Sequence, residues 1–225
     1  MIPIYDDNPA LGKPILVVGI IALCVIIWFW QSGLGYQANN QMIISYGLTP
    51  AAFLGKMEQA GPLISIFTLF TSMFMHGGFM HLIGNMLYMW IFADNIEDNL
   101  GPSKFLIFYL LAGIGAAMTQ VLMDTQSQIP MVGASGAIGG VLGAYLINHP
   151  NARVLVLIPF GFFSQLIKIR ALYVLGFWFI LQFISSGGGV AYAAHIGGFV
   201  SGMILILFFN KKTKRKNKIV KGPWG

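Results

Sequence analysis

The sequence predicts an all-α membrane protein: a six-transmembrane-helix bundle with an interfacial first loop. Three observations carry this reading. Hydrophobic residues make up 56% of the 225-residue chain and charged residues 9%, with mean hydropathy +0.75. A soluble domain carries about 25% charged residues, so this surface cannot be coated for water. The apolar residues also fall into separate runs, six of which read as spans. With both termini in the cytoplasm, every Lys and Arg except Lys56 lies on the cytoplasmic side, twelve of the thirteen, which is the bias that orients membrane helices. Five or seven spans would export the N-terminus or the basic tail.

Residues 1–13 are polar and hold Pro3 and Pro9, and are expected to be a loosely ordered cytoplasmic segment. Asp6 and Asp7 precede the first apolar run and no small-x-small cleavage site follows it, so residues 14–30 read as a retained first helix, with Trp28 and Trp30 at its boundary. Residues 31–61 are too polar to span and too long for a turn; Pro50 favours a helix start, and short interfacial helices are expected. Residues 62–93 exceed one crossing and are broken by His76-Gly77-Gly78, so the second span begins near those glycines and ends at Asp94, Glu97 and Asp98. Residues 105–123 form the third span, entered through Gly101-Pro102-Ser103, and 124–130 a polar turn. The fourth is 132–147, closed by Asn148-His149-Pro150 and Arg153. Residues 154–184 hold two apolar runs split by Lys168 and Arg170. Pro159 and Gly161 spoil the first as a helix, so 154–167 are expected as a loop at the inner surface and 171–184 as the fifth span. Residues 185–189 read as a flexible outer turn, 190–209 as the sixth span, and 210–225 as a basic cytoplasmic tail. The membrane domain is therefore 14–209.

The net charge of +6 sits mostly in that tail, at Lys211, Lys212, Lys214, Arg215, Lys216, Lys218 and Lys221. No aromatic residue interrupts the run, so it reads as a membrane-surface segment and no nucleic-acid partner is expected. Cys24 is the one cysteine; no intrachain disulfide can form, and its role is packing.

This orientation puts four polar side chains at one level. Counting 1.5 Å per residue inward from the outer ends of the even spans, Ser135, His195 and His81 lie at roughly 4 to 8 Å and Asn85 at about 10 Å. A lone serine among small residues is ordinary packing, and a lone membrane histidine an interhelical hydrogen bond or a cofactor ligand. Convergence selects the chemical alternative. Gly136 with Gly140, Gly139 with Gly143 and Gly198 with Gly202 are small-xxx-small pairs that let the fourth and sixth spans approach, bringing hydroxyl and imidazole within reach. A neutral imidazole can take the serine proton. His81 and Asn85, at i and i+4, present donors for an oxyanion, and the Ser135 N–H in the first turn can join them. No carboxylate is available as a third member, so a Ser135–His195 dyad is expected, with His195 oriented by packing and no metal or cofactor. His76 is assigned a structural hydrogen bond near the site, and His149 a structural role at the cytoplasmic end.

These residues resemble the rhomboid intramembrane serine proteases. The likeness runs from about residue 46 to 209 and rests on His76-Gly77-Gly78-Phe79-Met80-His81-Leu82-Ile83-Gly84-Asn85, Glu97-Asp98-Asn99-Leu100-Gly101, Gly133-Ala134-Ser135-Gly136, and Ala194-His195-Ile196-Gly197-Gly198 with Gly202. It implies a rhomboid-like six-helix core, Ser135 as nucleophile, His195 as general base, and His81 with Asn85 as oxyanion donors. It further implies single-pass transmembrane proteins as substrates, entering sideways near the fifth span and cut near their outer ends. Two departures stand out: Phe67-Thr68 occupies the place of a Trp-Arg pair found in many members, and Gly139 that of a tyrosine that packs on the imidazole in some. The expectation is a multi-pass endopeptidase of a plasma or bacterial inner membrane, with its active site facing outward. The alternatives are a catalytically inactive rhomboid-like protein that binds membrane helices, and a proton-coupled transporter, which the lack of Asp or Glu within a span disfavours.

Overall fold

A computed structural model describes residues 1–57, 62–160, 163–185 and 190–210. Most of the expected outer turn, the basic tail beyond Asn210, and Glu58 lie outside the described residues. In chain order the elements are β1 (Ile2–Asp6), α1 (Ile15–Gly33), α2 (Tyr36–Tyr46), α3 (Pro50–Phe53), α4 (Pro62–Thr71) with a 3₁₀ turn at Ser72–Phe74, α5 (Phe79–Leu100), α6 (Pro102–Met123), α7 (Ser135–Asn148), β2 (Arg153–Phe160), β3 (Phe163–Arg170), α8 (Ala171–Ile184) and α9 (Tyr192–Phe209).

α1, α6 and α9 are each long and apolar enough to cross a membrane, and the pair Ser65–Phe74 and Phe79–Leu100, bent by 80°, makes a fourth candidate if counted as one span. α7 and α8 are apolar but only 14 residues each, about 21 Å against a hydrocarbon core of about 30 Å. α7 is the central rod: every residue from Ala137 to Tyr145 is buried, enclosed by α5, α6 and α9. Glycine makes this possible. A Cβ on Gly198 would collide with the carbonyl oxygen of Gly136, and one on Gly202 with that of Gly140, so α7 and α9 touch backbone to backbone. Around them Phe92, Phe105, Phe108, Tyr109 and Tyr145 are fully buried.

The opposite end from Ser135 is built differently from the expectation. Residues 154–160 and 163–167 are not a loop but strands, β2 pairing antiparallel with β3 from Arg153↔Arg170 to Phe160↔Phe163. The N-terminal segment is not loose either: β1 pairs antiparallel with β2, from Ile2↔Leu157 to Asp6↔Val154. The fold is thus a helical bundle carrying a three-stranded sheet, in the order β1-β2-β3. The reason is local. Val154 and Val156 are fully buried while Leu155 between them is half-exposed, the alternation of a half-buried strand rich in β-branched residues. Asp7 fastens the junction, its N–H donating to Arg153 O at 2.8 Å and its Oδ1 accepting from Arg153 N at 2.7 Å.

A second fastening holds α1. Pro14 offers its first turn no side-chain cap, and the orphan amides of that turn need acceptors. Glu97, at the far end of α5, supplies them: Oε1 accepts from Leu16 N at 3.0 Å and Oε2 from Val17 N at 2.9 Å. Asp98 does the same for Leu11 N and Gly12 N, at 3.1 and 2.9 Å. At this end His149 bonds Asn99 Nδ2 through Nε2 at 2.9 Å, and Asn148 and Asn210 pair reciprocally, closing α7 against α9.

Candidate active site

His81, Ser135 and His195 lie at the N-terminal ends of α5, α7 and α9, all at the end of the bundle away from the sheet. Ser135 is the first residue of α7. Its backbone N–H therefore has no intrahelical acceptor. Its Oγ lies 2.8 Å from His195 Nε2. The two residues are 60 apart in sequence, and the backbone contact of α7 with α9 brings them together.

Gly133 stands two residues before the serine with φ of +128°, a conformation that L side chains rarely adopt. Space forbids a side chain as well: a Cβ there would lie 2.7 Å from His81 Nε2 and 3.7 Å from Asn85 Nδ2. Both candidate oxyanion donors thus flank the backbone next to Ser135. Asn85 is buried and its Nδ2 donates to His81 O at 3.0 Å; its side chain is held along the face of α5 that carries His81. Gly133 N donates to Ser72 O at 2.9 Å, anchoring the strand of chain that leads into α7. Gly136 packs on α6, where a Cβ would lie 2.7 Å from that of Ala116. Ser135, His195, His81, Asn85, Gly133 and Trp178 share the wall of one cavity of about 1020 Å³.

His76 lies beside the site, next to His81. Its ring is buried with neither nitrogen partnered among the described residues, and it packs edge-on against His81 at 5.3 Å between centroids. Its backbone N–H donates to Gln31 Oε1 at 3.3 Å. Of the Phe67-Thr68 pair, Phe67 is exposed and Thr68 is buried, donating to Ser65 O at 2.6 Å.

Two residues on α8 were not identified from the sequence. The Trp178 ring lies 5.7 Å from that of His195, tilted by 34°, and a Cβ on Gly139 would lie 3.7 Å from the edge of the same indole. Trp178 thus fills, from a different helix, the place left by the missing aromatic at Gly139. Gln182, one turn on, is buried, and its Oε1 lies 2.7 Å from His195 Nδ1. The expectation that packing alone orients His195 is corrected accordingly: a polar partner is present, and it is an amide. Its signal was available, since Gln182 is the one strongly polar side chain in the sequence of α8, and a polar group in an apolar helix faces the bundle.

The model of the rhomboid domain family matches residues 64–212, which include Ser135, His195, His81 and Asn85. The chain is 30% identical over 191 residues to "Rhomboid protease GluP" of Bacillus subtilis, covering 85% of this chain and 34% of that protein. It is 28% identical over 154 residues to "Rhomboid protein 1, mitochondrial" of Saccharomyces cerevisiae, covering 65% and 43% respectively. It is 29% identical over 208 residues to "Rhomboid protease GlpG" of Haemophilus influenzae, covering 92% and 95%. The chain therefore spans less than half the length of the first two of these relatives and nearly all of the third.

Proposed function

Because the chain belongs to the rhomboid family, we propose that it is an intramembrane serine endopeptidase that cleaves transmembrane proteins by a Ser135–His195 dyad. The observation that carries this is the 2.8 Å approach of Ser135 Oγ to His195 Nε2 at the wall of a cavity. His195 takes the hydroxyl proton at Nε2 as Ser135 Oγ attacks the scissile carbonyl. The oxyanion is met by the Ser135 N–H and by the side chains of His81 and Asn85. Imidazolium then returns the proton to the leaving amine, the C–N bond breaks, and an acyl-enzyme remains on Ser135. A water molecule, deprotonated by the same imidazole, releases the acid and restores the serine. No metal or cofactor enters this scheme.

In this reading six helices cross the bilayer: α1, α5, α6, α7, α8 and α9. α2, α3 and α4 lie at the outer interface. The brevity of α7 and α8 is met by local thinning of the membrane. Residues 1–13 and 210–225 are cytoplasmic, as the distribution of Lys and Arg favours, and residues 14–209 form the membrane domain. The site then faces the outer side, in a plasma or bacterial inner membrane. Substrates are single-pass membrane proteins, entering beside α8 and cut where the segment unwinds. A substrate must unwind there because a peptide bond within a helix has its carbonyl occupied by hydrogen bonding.

The test is cleavage of a tagged single-pass protein in proteoliposomes. Ser135→Ala and His195→Ala should each abolish it while the protein remains folded. Undiminished cleavage by either variant refutes the dyad. Substrate capture without cleavage by the unmodified protein would instead mark it as a helix-binding relative without activity.

A further inference from the structure

A neutral imidazole can receive the serine proton only if Nε2 carries the lone pair and Nδ1 the hydrogen. The surroundings of His195 decide which tautomer is held. Gln182 Nε2 is committed as a donor to Trp178 O at 2.7 Å, and its Oε1 faces His195 Nδ1 at 2.7 Å. Exchanging the two ends of the amide would set Oε1 against a carbonyl oxygen, leaving two acceptors face to face. Oε1 is therefore the end turned to the ring, and Nδ1–H must be the donor. The lone pair then falls on Nε2, the nitrogen 2.8 Å from Ser135 Oγ. Trp178 closes this arrangement from the other side: the same residue whose carbonyl orients the amide lays its indole 5.7 Å from the imidazole.

Resting on the protease reading given above, we propose that Gln182 is a positioning residue for the reaction, holding His195 as its Nδ1–H tautomer with Nε2 directed at Ser135. An amide oxygen also suits the next state of the base. Imidazolium keeps its Nδ1–H through the cycle, and Oε1 accepts from it more strongly once the ring is charged. The cost of keeping an amide on an apolar helix fits this role. Both ends of Gln182 are satisfied and the residue is buried, whereas Leu172, Phe177, Ile180 and Phe183 on the same helix are exposed. The competing account is that Gln182 merely ties α8 to α9, as polar groups often do between membrane helices.

Two measurements on the full chain separate these accounts. The first is the ¹⁵N spectrum of the His195 imidazole in the unmodified protein, assigned by its loss in His195→Ala. The proposal expects the Nδ1–H tautomer to dominate; a dominant Nε2–H tautomer overturns it. The second compares Gln182→Met, which keeps the length but loses the strong acceptor, with Gln182→Glu, which keeps an acceptor. Loss of one hydrogen bond at the base is expected to lower kcat in Gln182→Met by about tenfold or more, with KM unchanged. The upper bound is the roughly 10⁴-fold seen when the histidine of a serine protease takes the wrong tautomer. Gln182→Glu gives up the donor to Trp178 O but keeps an acceptor for Nδ1–H, so it should retain more turnover than Gln182→Met, and the imidazole spectrum of Gln182→Met should become mixed. Full activity in Gln182→Met, or losses that follow thermal stability equally in both variants with an unchanged spectrum, overturns the proposal. Ser135→Ala run alongside keeps the two levels apart. If it is inactive while Gln182→Met is fully active, only the role of Gln182 fails; if it still cleaves, the protease reading fails and the positioning role with it.

Discussion

Removing the Glu97 carboxylate should loosen α1 without touching the chemistry. Glu97 is 2% exposed and accepts from two backbone amides, Leu16 N at 3.0 Å and Val17 N at 2.9 Å. These are the amides a helix start leaves without partners, and they concentrate the positive end of the helix dipole. A hydrogen bond to a charged group contributes about 1.5–3 kcal/mol, so Glu97→Ala should cost about 3–6 kcal/mol, with both donors left in an apolar setting. For a chain of this length each kcal/mol moves Tm by about 2–4 °C, so a fall of at least ~6 °C is expected. Intrinsic tryptophan fluorescence during thermal unfolding in detergent reports it directly, because Trp28 and Trp30 lie on α1. Asp98→Asn, whose bonds to Leu11 N and Gly12 N are exposed, should fall much less. Because α1 carries none of the site residues, kcat of the folded fraction should stay the same. An unchanged Tm in Glu97→Ala would refute the capping argument, and a lowered kcat at full stability would show that α1 takes part in the site.

Other perturbations follow from the same geometry. Gly202→Val drives a branched side chain into the carbonyl oxygen of Gly140; overpacking of this kind costs about 1–3 kcal/mol, and forcing α7 from α9 should also separate Ser135 from His195, so stability and turnover should fall together. Gly133→Ala places a Cβ 2.7 Å from His81 Nε2 at a φ of +128°. A displaced donor should lower kcat by up to about 10²–10³, more than it raises KM. Asp6 is held by burial, with smaller contributions from Asp94 and Asp7, at a pKa raised from 3.8 to about 6 despite the hydrogen bond from Tyr145. Since the folded state binds the proton more tightly, docking of β1 is strongest below pH 3.8 and weakens as pH rises through about 6. Amide exchange in β1, corrected for intrinsic rate, should be slower at the acid end, and Asp6→Asn should remove that dependence.

The sequence exposed the helices more readily than the sheet for a physical reason. Charge and glycine mark where apolar helices begin, so the run after Lys168 and Arg170 and the break at Gly77-Gly78 matched α8 and the start of α5 closely. The hairpin was missed because Pro159 and Gly161 argue against a helix in an apolar run of about fourteen residues, and a loop rather than a pair of strands is then the simpler alternative. Its β-branched content, the paired eight-residue halves and the Gly161 between them pointed to strands. β1 is five residues long and gains its order from β2, a contact no local pattern encodes. Ser135 and His195 were legible because glycine spacing tells which faces meet. Gln182 was legible only as a polar residue out of place; that its partner is His195 depends on the rotation of α8, which the period of its apolar residues leaves open since nearly all its faces are apolar.

The most direct measurement of the central claim is active-site labelling. Incubate the full chain in liposomes with a fluorophosphonate, then locate the adduct by mass spectrometry in the unmodified protein and in His195→Ala. The account predicts one adduct, on Ser135, that disappears when His195 is replaced. Labelling elsewhere with Ser135 untouched, or equal labelling of Ser135 without the imidazole, would contradict it.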